Sequence, residues 1–430
     1  MKKIFIIPLE KTTKSIAVQG DKSISHRAVI IGSLAQGETV IKGFLEAEDT
    51  LNTIQIFRQL GVNIKKIKGA YVVKGRGLHG FRKPRKELYV GNSGTGIRLV
   101  LGVLAAQRFD SVITGDASIT KRPMKRVIIP LSKMGAKFES NNGFAPITVR
   151  GGNLSGINYT SPVASAQVKS AIMLAALHAG GGSCISEPFK SRDHMERMLE
   201  HFGADIKVSG NKLRINSGNE LKGNKIFVPG DISSAAYFIA AGLLCRRSKI
   251  TVKDTGINPT RMGVVDVLRQ MGGKITIKNK RIKNNEPVAD ITALTSELKG
   301  ITIQGKMIPR LIDEIPVIAV AAAFAKGRTV IKNAKELRFK ETDRIETIKT
   351  NLNRIGVKCE EKPDGMIIYG NAGRCFKYAD VDSFGDHRIA MAFSVAGLVS
   401  DNGILIKDIE CVNTSFPDFF SALRKIGGVK

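Results

Sequence analysis

The chain repeats itself six times, and this repeat limits the fold more than any other feature. Two kinds of helix alternate along the 430 residues. Their period is about seventy residues, longer than the common solenoid repeats. The first kind is small, rich in Ala and Gly, and opened by polar residues. Its copies start at Ser23-Ile24-Ser25-His26, Thr95-Gly96-Ile97-Arg98, Ser165-Ala166-Gln167-Val168, Ser233-Ser234-Ala235-Ala236, Glu314-Ile315-Pro316-Val317 and Asp386-His387-Arg388-Ile389. Each leads into a short strand-like run such as Val40-Ile41 or Val330-Ile331. The second kind is amphipathic and stops at a glycine: Gly61, Gly135, Gly203, Gly272, Gly356 and Gly427. At every stop the residues one and four places earlier are apolar, from Leu60 and Phe57 at the first to Ile426 and Leu423 at the last. That is helical spacing closed by a glycine C-cap. After the first five stops comes an alternating strand, usually with a turn and a second strand, as in Asp205-Ile206-Lys207-Val208 and Lys212-Leu213-Arg214-Ile215. Each unit reads β-α-β-α-β-β, which places the chain in the α/β (α+β) class.

The length calls for two domains, because one core rarely grows to this size. The sixth stop, Gly427, is followed by only three residues, so the last unit lacks its closing strands. Residues 1–19 are strand-like and precede the first unit. The N-terminal strands are therefore expected to complete the C-terminal half. This gives one domain of residues 20–229 and a discontinuous one of 1–19 plus 230–430, with three units in each. The two crossings are Val18-Gln19-Gly20-Asp21 and Val228-Pro229-Gly230-Asp231. Both read as strand, glycine, acidic helix start, and helix N-termini aimed at such a crossing suit anions.

Composition narrows the function. Hydrophobic residues make up 43%, with 44 Gly and no Trp, as in a soluble globular protein. Runs such as Ile315 to Phe324 are too short to span a bilayer. Met1-Lys2-Lys3-Ile4-Phe5-Ile6-Ile7 starts like a signal peptide but stops at Pro8, and reads as a first strand. The five Cys show no paired spacing, which fits reduced thiols in a cytoplasm and argues against a metal site. The net charge of +29 suggests nucleic acid. The cations are spread along the whole chain, however, and aromatics are only 6%, poor for stacking bases. A lysine-rich solvated surface explains most of the excess, with some steering of anionic substrates over the screening length of about 8 Å.

Several motifs carry chemistry. Asp21-Lys22-Ser23-Ile24-Ser25-His26-Arg27 offers a point charge, a hydroxyl and a bidentate guanidinium for phosphate or carboxylate, and reads equally as an ordinary helix cap. Gly91-Asn92-Ser93-Gly94-Thr95-Gly96-Ile97-Arg98 lets backbone N–H groups approach an anion, or makes a tight turn. It lacks the GKS/T of a Walker A loop. Arg122 of Lys121-Arg122-Pro123-Met124 has the reach for a ligand. Ser165-Ala166-Gln167 and Ser191-Arg192-Asp193-His194 place small polar groups and a cation at helix starts. Asp313 of Leu311-Ile312-Asp313-Glu314 reads as a helix cap or a general base. Arg338-Phe339-Lys340-Glu341-Thr342-Asp343-Arg344 packs five charges into seven residues beside core-like sequence. It faces either water or a charged ligand. In Gly385-Asp386-His387-Arg388, the pair is either part of a site or a core-facing His beside a surface Arg.

With these motifs in this order, the chain resembles the 5-enolpyruvylshikimate-3-phosphate synthase family, from Lys22 to Pro417. Its KETDRI and DHRIAM are the most specific signatures, and SAQVKSA, SRDH, LIDEIP and TSFP resemble the class II branch. The resemblance implies two similar domains of three β-α-β-α-β-β units with pseudo-threefold symmetry, closing on the substrates between them. It implies transfer of the enolpyruvyl group of phosphoenolpyruvate to the 5-hydroxyl of 3-phosphoshikimate, without metal or cofactor. Lys22, Ser23, Arg27, Ser165, Ala166, Gln167, Asp313 and Lys340 would hold 3-phosphoshikimate, joined by Arg192 in the class II pattern. Lys22, Gly94, Arg122, Gln167, Arg344 and Arg388 would hold phosphoenolpyruvate. Asp313 would accept the hydroxyl proton, Glu341 would donate one to the methylene carbon, and Lys22 would neutralise the departing phosphate. The expected partners are these small molecules alone, with no nucleic acid and no membrane, in a cytoplasmic monomer.

Some positions depart from the family pattern. Asn413-Thr414-Ser415 stands where many relatives carry a Lys before the Phe-Pro, and Glu336 where some carry Asn. Gly94 is the position where a methyl group accompanies glyphosate tolerance, so its Gly predicts sensitivity. The sister family acting on UDP-N-acetylglucosamine is the nearest alternative. It carries a Cys in the loop before its Arg-Pro, and Gly115-Asp116-Ala117-Ser118-Ile119-Thr120 has none.

Overall fold

A computed structural model of the chain describes residues 2–429. It contains six helices of the first kind: α1 (Lys22–Leu34), α3 (Gly94–Leu104), α5 (Ala166–Ala176), α7 (Ile232–Leu244), α10 (Ile315–Phe324) and α12 (His387–Gly397). The second kind comprises α2 (Glu48–Gln59), α4 (Lys125–Lys133), α6 (His194–His201), α8 (Gly263–Gln270), α11 (Arg344–Arg354) and α13 (Phe419–Ile426). A single turn, α9 (Ile308–Leu311), precedes α10. The six stop glycines all hold φ between +85° and +105°, the left-handed region that only glycine occupies without strain. The apolar pair before each stop is buried, as Phe57 and Leu60 are at the first.

Each pair of helices serves a small mixed sheet. Among the described residues five sheets have four strands and one has three. In the four-stranded sheets one edge strand runs parallel to its neighbour and the hairpin that follows is antiparallel, as in 158–160, 183–186, 212–215 and 206–209. The strands that close sheets come from distant sequence. Lys225–Phe227 lies parallel to Glu38–Lys42. Thr12–Ala17 lies parallel to Ser248–Gly256. Lys3–Ile6 pairs antiparallel with Ile404–Lys407 of the sixth unit.

The chain divides into two compact units, residues 20–228 with 283–286, and residues 1–19 with 229–282 and 287–430. Each has its own hydrophobic core. In the first, α3 and α5 pack together at the centre with α1 beside them, and in the second α7, α10 and α12 do the same. These helices are buried nearly all round. All thirteen residues of α7 are buried, Ser233 and Ser234 included. A helix buried on every face needs small residues for its neighbours to approach, and that is the role of the Ala and Gly content. At Gly102 of α3 a Cβ would lie 2.3 Å from the carbonyl oxygen of Ala171 in α5. Among the described residues no helix is long and apolar enough to cross a membrane.

Candidate active site

The polar residues of both units gather where the buried helices begin. A helix N-terminus presents unpaired N–H groups and the positive end of its dipole. An Ala-rich helix can be buried along its length only if that polar end is capped or bound.

In the unit of residues 20–228, Asp21 caps α1 by accepting from the Ile24 N–H at 2.9 Å. Lys22 follows, with Nζ 3.0 Å from Asp49 Oδ2 at the start of α2. One turn on, His26 is buried, its Nδ1 2.7 Å from Thr53 Oγ1 and its Nε2 3.4 Å from Ser93 Oγ. Burial holds its pKa well below the usual histidine value, and the Lys22 and Arg27 charges push the same way. Arg27 is buried and donates to the Ser23 carbonyl at 2.9 Å and to Ser170 of α5 at 2.8 Å. Ser93 caps α3 by accepting from Gly96 at 2.9 Å. A Cβ on Gly94, the first residue of α3, would lie 2.8 Å from Arg122 Nη2 and 3.0 Å from Arg98 Nη1. Arg98 donates to Gln167 Oε1 at 2.7 Å, and Gln167 Nε2 donates to Thr95 at 2.9 Å. Ser165 caps α5, so its helix-cap reading holds, and Ala166 is the first helical residue. The starts of α1, α3 and α5 are thus tied together with Lys22, Ser23, Arg27, Gly94, Arg122, Ser165, Ala166 and Gln167 among them. Arg192 is half-buried between the buried Ser191 and Asp193.

The other unit brings Asp313, Lys340, Glu341, Arg344 and Arg388 together. Asp313 does not cap α10. Glu314 occupies the cap position and its side chain makes no cap hydrogen bond. Asp313 Oδ1 lies 3.1 Å from Lys340 Nζ and 3.7 Å from Arg344 Nη1. Arg344 opens α11 at 1% exposure, so the charge-dense motif is no solvated face. Arg344 donates to Glu341 Oε2 at 2.6 Å and to Asp386 Oδ2 at 2.7 Å, and its buried Nη1 has no hydrogen-bond partner. Burial opposes the Arg344 charge, and Asp386 and Glu341 outweigh it and raise its pKa. Arg388 donates to the Asp313 carbonyl at 3.0 Å and lies 3.8 Å from Glu314. His387 and Arg388 are both buried, which replaces the pairing of a core-facing His with a surface Arg. Behind them Arg261, also buried, contacts Asp231 at 3.2 Å and Ser233 at 2.7 Å, and Ser233 donates to Glu314.

Some members of these clusters escaped the sequence reading. Asp49, Arg98, Arg261 and Asp386 were not singled out as partners, although Arg98 and Asp386 lie inside the motifs quoted above. A lysine in the middle of an Ala-rich buried helix, Lys169, was a signal that anions must lie nearby, and Glu187 and Glu196 are there at 2.9 and 2.7 Å.

Buried cations with acids among them at the starts of small, buried helices, repeated in each of the two units, are what an enolpyruvyl transferase-type protein carries. The enolpyruvyl transferase NikO of Streptomyces tendae has the same fold, with a TM-score of 0.81 at 16% identity over 99% of this chain and 98% of that one. The chain belongs to the EPSP synthase (3-phosphoshikimate 1-carboxyvinyltransferase) family, whose model matches residues 7–423. A relative from Thermoanaerobacter sp. (strain X514), named 3-phosphoshikimate 1-carboxyvinyltransferase, is 55% identical over 94% of this chain and 95% of its own. One of the same name from Petrotoga mobilis is 52% identical over 99% of this chain and all of its own. The structure of EPSP synthase from Acinetobacter baumannii superposes with a TM-score of 0.89 at 45% identity, covering 100% of this chain and 99% of that one.

Proposed function

We infer that the protein transfers the enolpyruvyl group of phosphoenolpyruvate to the 5-hydroxyl of 3-phosphoshikimate. The products are 5-O-(1-carboxyvinyl)-3-phosphoshikimate and phosphate, on the shikimate pathway to chorismate and the aromatic amino acids. The observation that carries this reading is Asp313 held beside Lys340 and Arg344, with Glu341 on the same guanidinium. Family membership favours this acceptor over UDP-N-acetylglucosamine.

Asp313 takes the proton of the 5-hydroxyl as its oxygen attacks C2 of phosphoenolpyruvate. Glu341 gives a proton to the methylene carbon. The adduct then loses phosphate from C2 and a proton from the new methyl group, which restores the double bond. Lys22 neutralises the leaving phosphate. Lys22, Ser23, Arg27, Ser165, Ala166, Gln167, Arg192, Asp313 and Lys340 take 3-phosphoshikimate. Lys22, Gly94, Arg122, Gln167, Arg344 and Arg388 take phosphoenolpyruvate. Both substrates carry several negative charges and repel, so cations must hold them at reacting distance, where preorganised charge is worth most. Arg344 Nη1, which lies 3.7 Å from Asp313 but makes no hydrogen bond, suits an anionic oxygen.

The two domains of this reading are residues 20–229 and 1–19 plus 230–430, acting as a cytoplasmic monomer on small molecules without nucleic acid. The test is phosphate release from phosphoenolpyruvate with 3-phosphoshikimate or UDP-N-acetylglucosamine as acceptor, beside Asp313→Ala. Release with 3-phosphoshikimate alone, lost in the variant, is expected. Release with the sugar nucleotide would overturn the acceptor, and release undiminished by Asp313→Ala would overturn the base.

A further inference from the structure

The residues named for 3-phosphoshikimate in the unit of residues 20–228 sit on separate segments. Ser165, Ala166 and Gln167 open α5, and Arg192 lies in the turn before α6. A buried carboxylate joins the two. Glu187 follows the strand Ser183–Ser186 and is 7% exposed. Its Oε1 accepts from the backbone N–H of Ser165 at 3.1 Å. The Ser191 hydroxyl donates to Oε1 at 2.7 Å and lies 2.9 Å from Oε2, and the Ser191 backbone N–H donates to Oε2 at 3.3 Å. Oε2 also meets Lys169 Nζ at 2.9 Å, one turn along α5 from Ser165. Lys169 is 4% exposed and reaches Glu196 of α6 at 2.7 Å with the same ammonium.

Burial works against the Lys169 charge, but Glu196 and Glu187 outweigh it and leave its pKa above the ordinary lysine value. Lys169 is therefore held as a cation between the two acids. Hydrogen bonds to charged groups are stronger than neutral ones. A carboxylate that holds the cap of one helix and the residue before Arg192 fixes how far apart the two lie.

We propose that Glu187 is a positioning residue that sets the separation of Ser165-Ala166-Gln167 from Arg192, and through it the affinity for 3-phosphoshikimate. The proposal rests on the assignment of those residues to 3-phosphoshikimate made above.

The experiment compares Glu187→Gln with Glu196→Gln. Both remove one negative charge from the same lysine, but only Glu187 touches the two ligand-bearing segments. Glu187→Gln is expected to raise KM for 3-phosphoshikimate about tenfold, the size of one lost charged hydrogen bond, and to shift KM for phosphoenolpyruvate less than about threefold. Glu196→Gln is expected to lower Tm about as much as Glu187→Gln does, with both KM values unchanged. Ser191→Ala, a milder change should Glu187→Gln fold poorly, should raise the same KM by a smaller factor. Equal KM values in Glu187→Gln and Glu196→Gln, or in Ser191→Ala and the parent, would overturn the proposal. Arg192→Ala separates the two layers of argument. If it raises KM for 3-phosphoshikimate while Glu187→Gln does not, the clamp alone is wrong. If Arg192→Ala leaves that KM unchanged, the ligand assignment fails and the clamp fails with it.

Discussion

Asp386 grips Arg344 and caps α12 with the same carboxylate. Its Oδ2 accepts from Arg344 Nε at 2.7 Å and its Oδ1 accepts from Arg344 Nη2 at 3.2 Å and from the Arg388 backbone N–H at 2.8 Å. Both partners are essentially inaccessible, at 0% and 1% exposure. The two most specific motifs of the chain are thus one ionic unit. Removing one member of a buried pair leaves an uncompensated charge. Asp386→Ala should destabilise the protein by about 3–5 kcal/mol in urea unfolding. A loss under about 1 kcal/mol would mean that Arg344 is adequately held by Glu341 and Asp313 alone.

Asp313→Asn keeps the size of the side chain and removes the carboxylate proposed as the base. It should lower kcat by about 10²–10⁴. Binding of 3-phosphoshikimate, followed calorimetrically, should persist. Near-normal turnover would move the base elsewhere.

Gly94→Ala places a methyl group against Arg122 and Arg98, both closer than ordinary contact. The Arg122 guanidinium must move aside and that of Arg98 must give by a few tenths of an ångström. Glyphosate inhibition competitive with phosphoenolpyruvate is expected in the parent, and a higher inhibition constant together with a higher KM for phosphoenolpyruvate in the variant. No inhibition of the parent at such concentrations would end this line of argument.

Acid should weaken the unit that carries α5. Both ring nitrogens of His178 are sealed from solvent without hydrogen-bond partners, and burial, with His79 adding to it, pulls its pKa down to about 3. The folded state stays neutral where the unfolded chain, titrating near 6.5, takes up a proton. Stability is therefore present above about 6.5 and is lost as pH falls toward 3, by about 1.4 kcal/mol per unit, or up to about 2 kcal/mol at pH 5. Buried His26 acts in the same direction. His178→Leu should flatten the fall in Tm between pH 7.5 and 5, and an unchanged slope would count against it.

Gly102→Ala should cost about 1–3 kcal/mol, because its Cβ would meet backbone rather than a flexible side chain. Thermal unfolding measures it, and a neutral result would mean that α3 and α5 are less closely packed than described.

Much of this fold was legible in the sequence, because its signals are short-range. A glycine with φ near +90° and apolar residues one and four places before it need only one helical turn to be recognised. Other features were out of reach for a reason of distance. Nothing around Asp313 distinguishes a cap from a base, and it is the turn after α9, leading Glu314 into the cap position, that leaves Asp313 beside Lys340. Glu187 carries no motif. It matters because Ser165 and Ser191 lie on either side of it, and only the folded chain brings them to one carboxylate.

By itself the sequence determined the six-unit frame, the glycine stops and the residue types of the site, since periodicity and motif spacing are properties of neighbours along the chain. Which charge meets which was decided by the tertiary structure. Arg27 finds Ser170 across 143 residues, and Arg344 finds Asp386 across 42. Such partners are chosen by helix packing and by the cost of burying a charge alone, and that cost exists only once the core has formed.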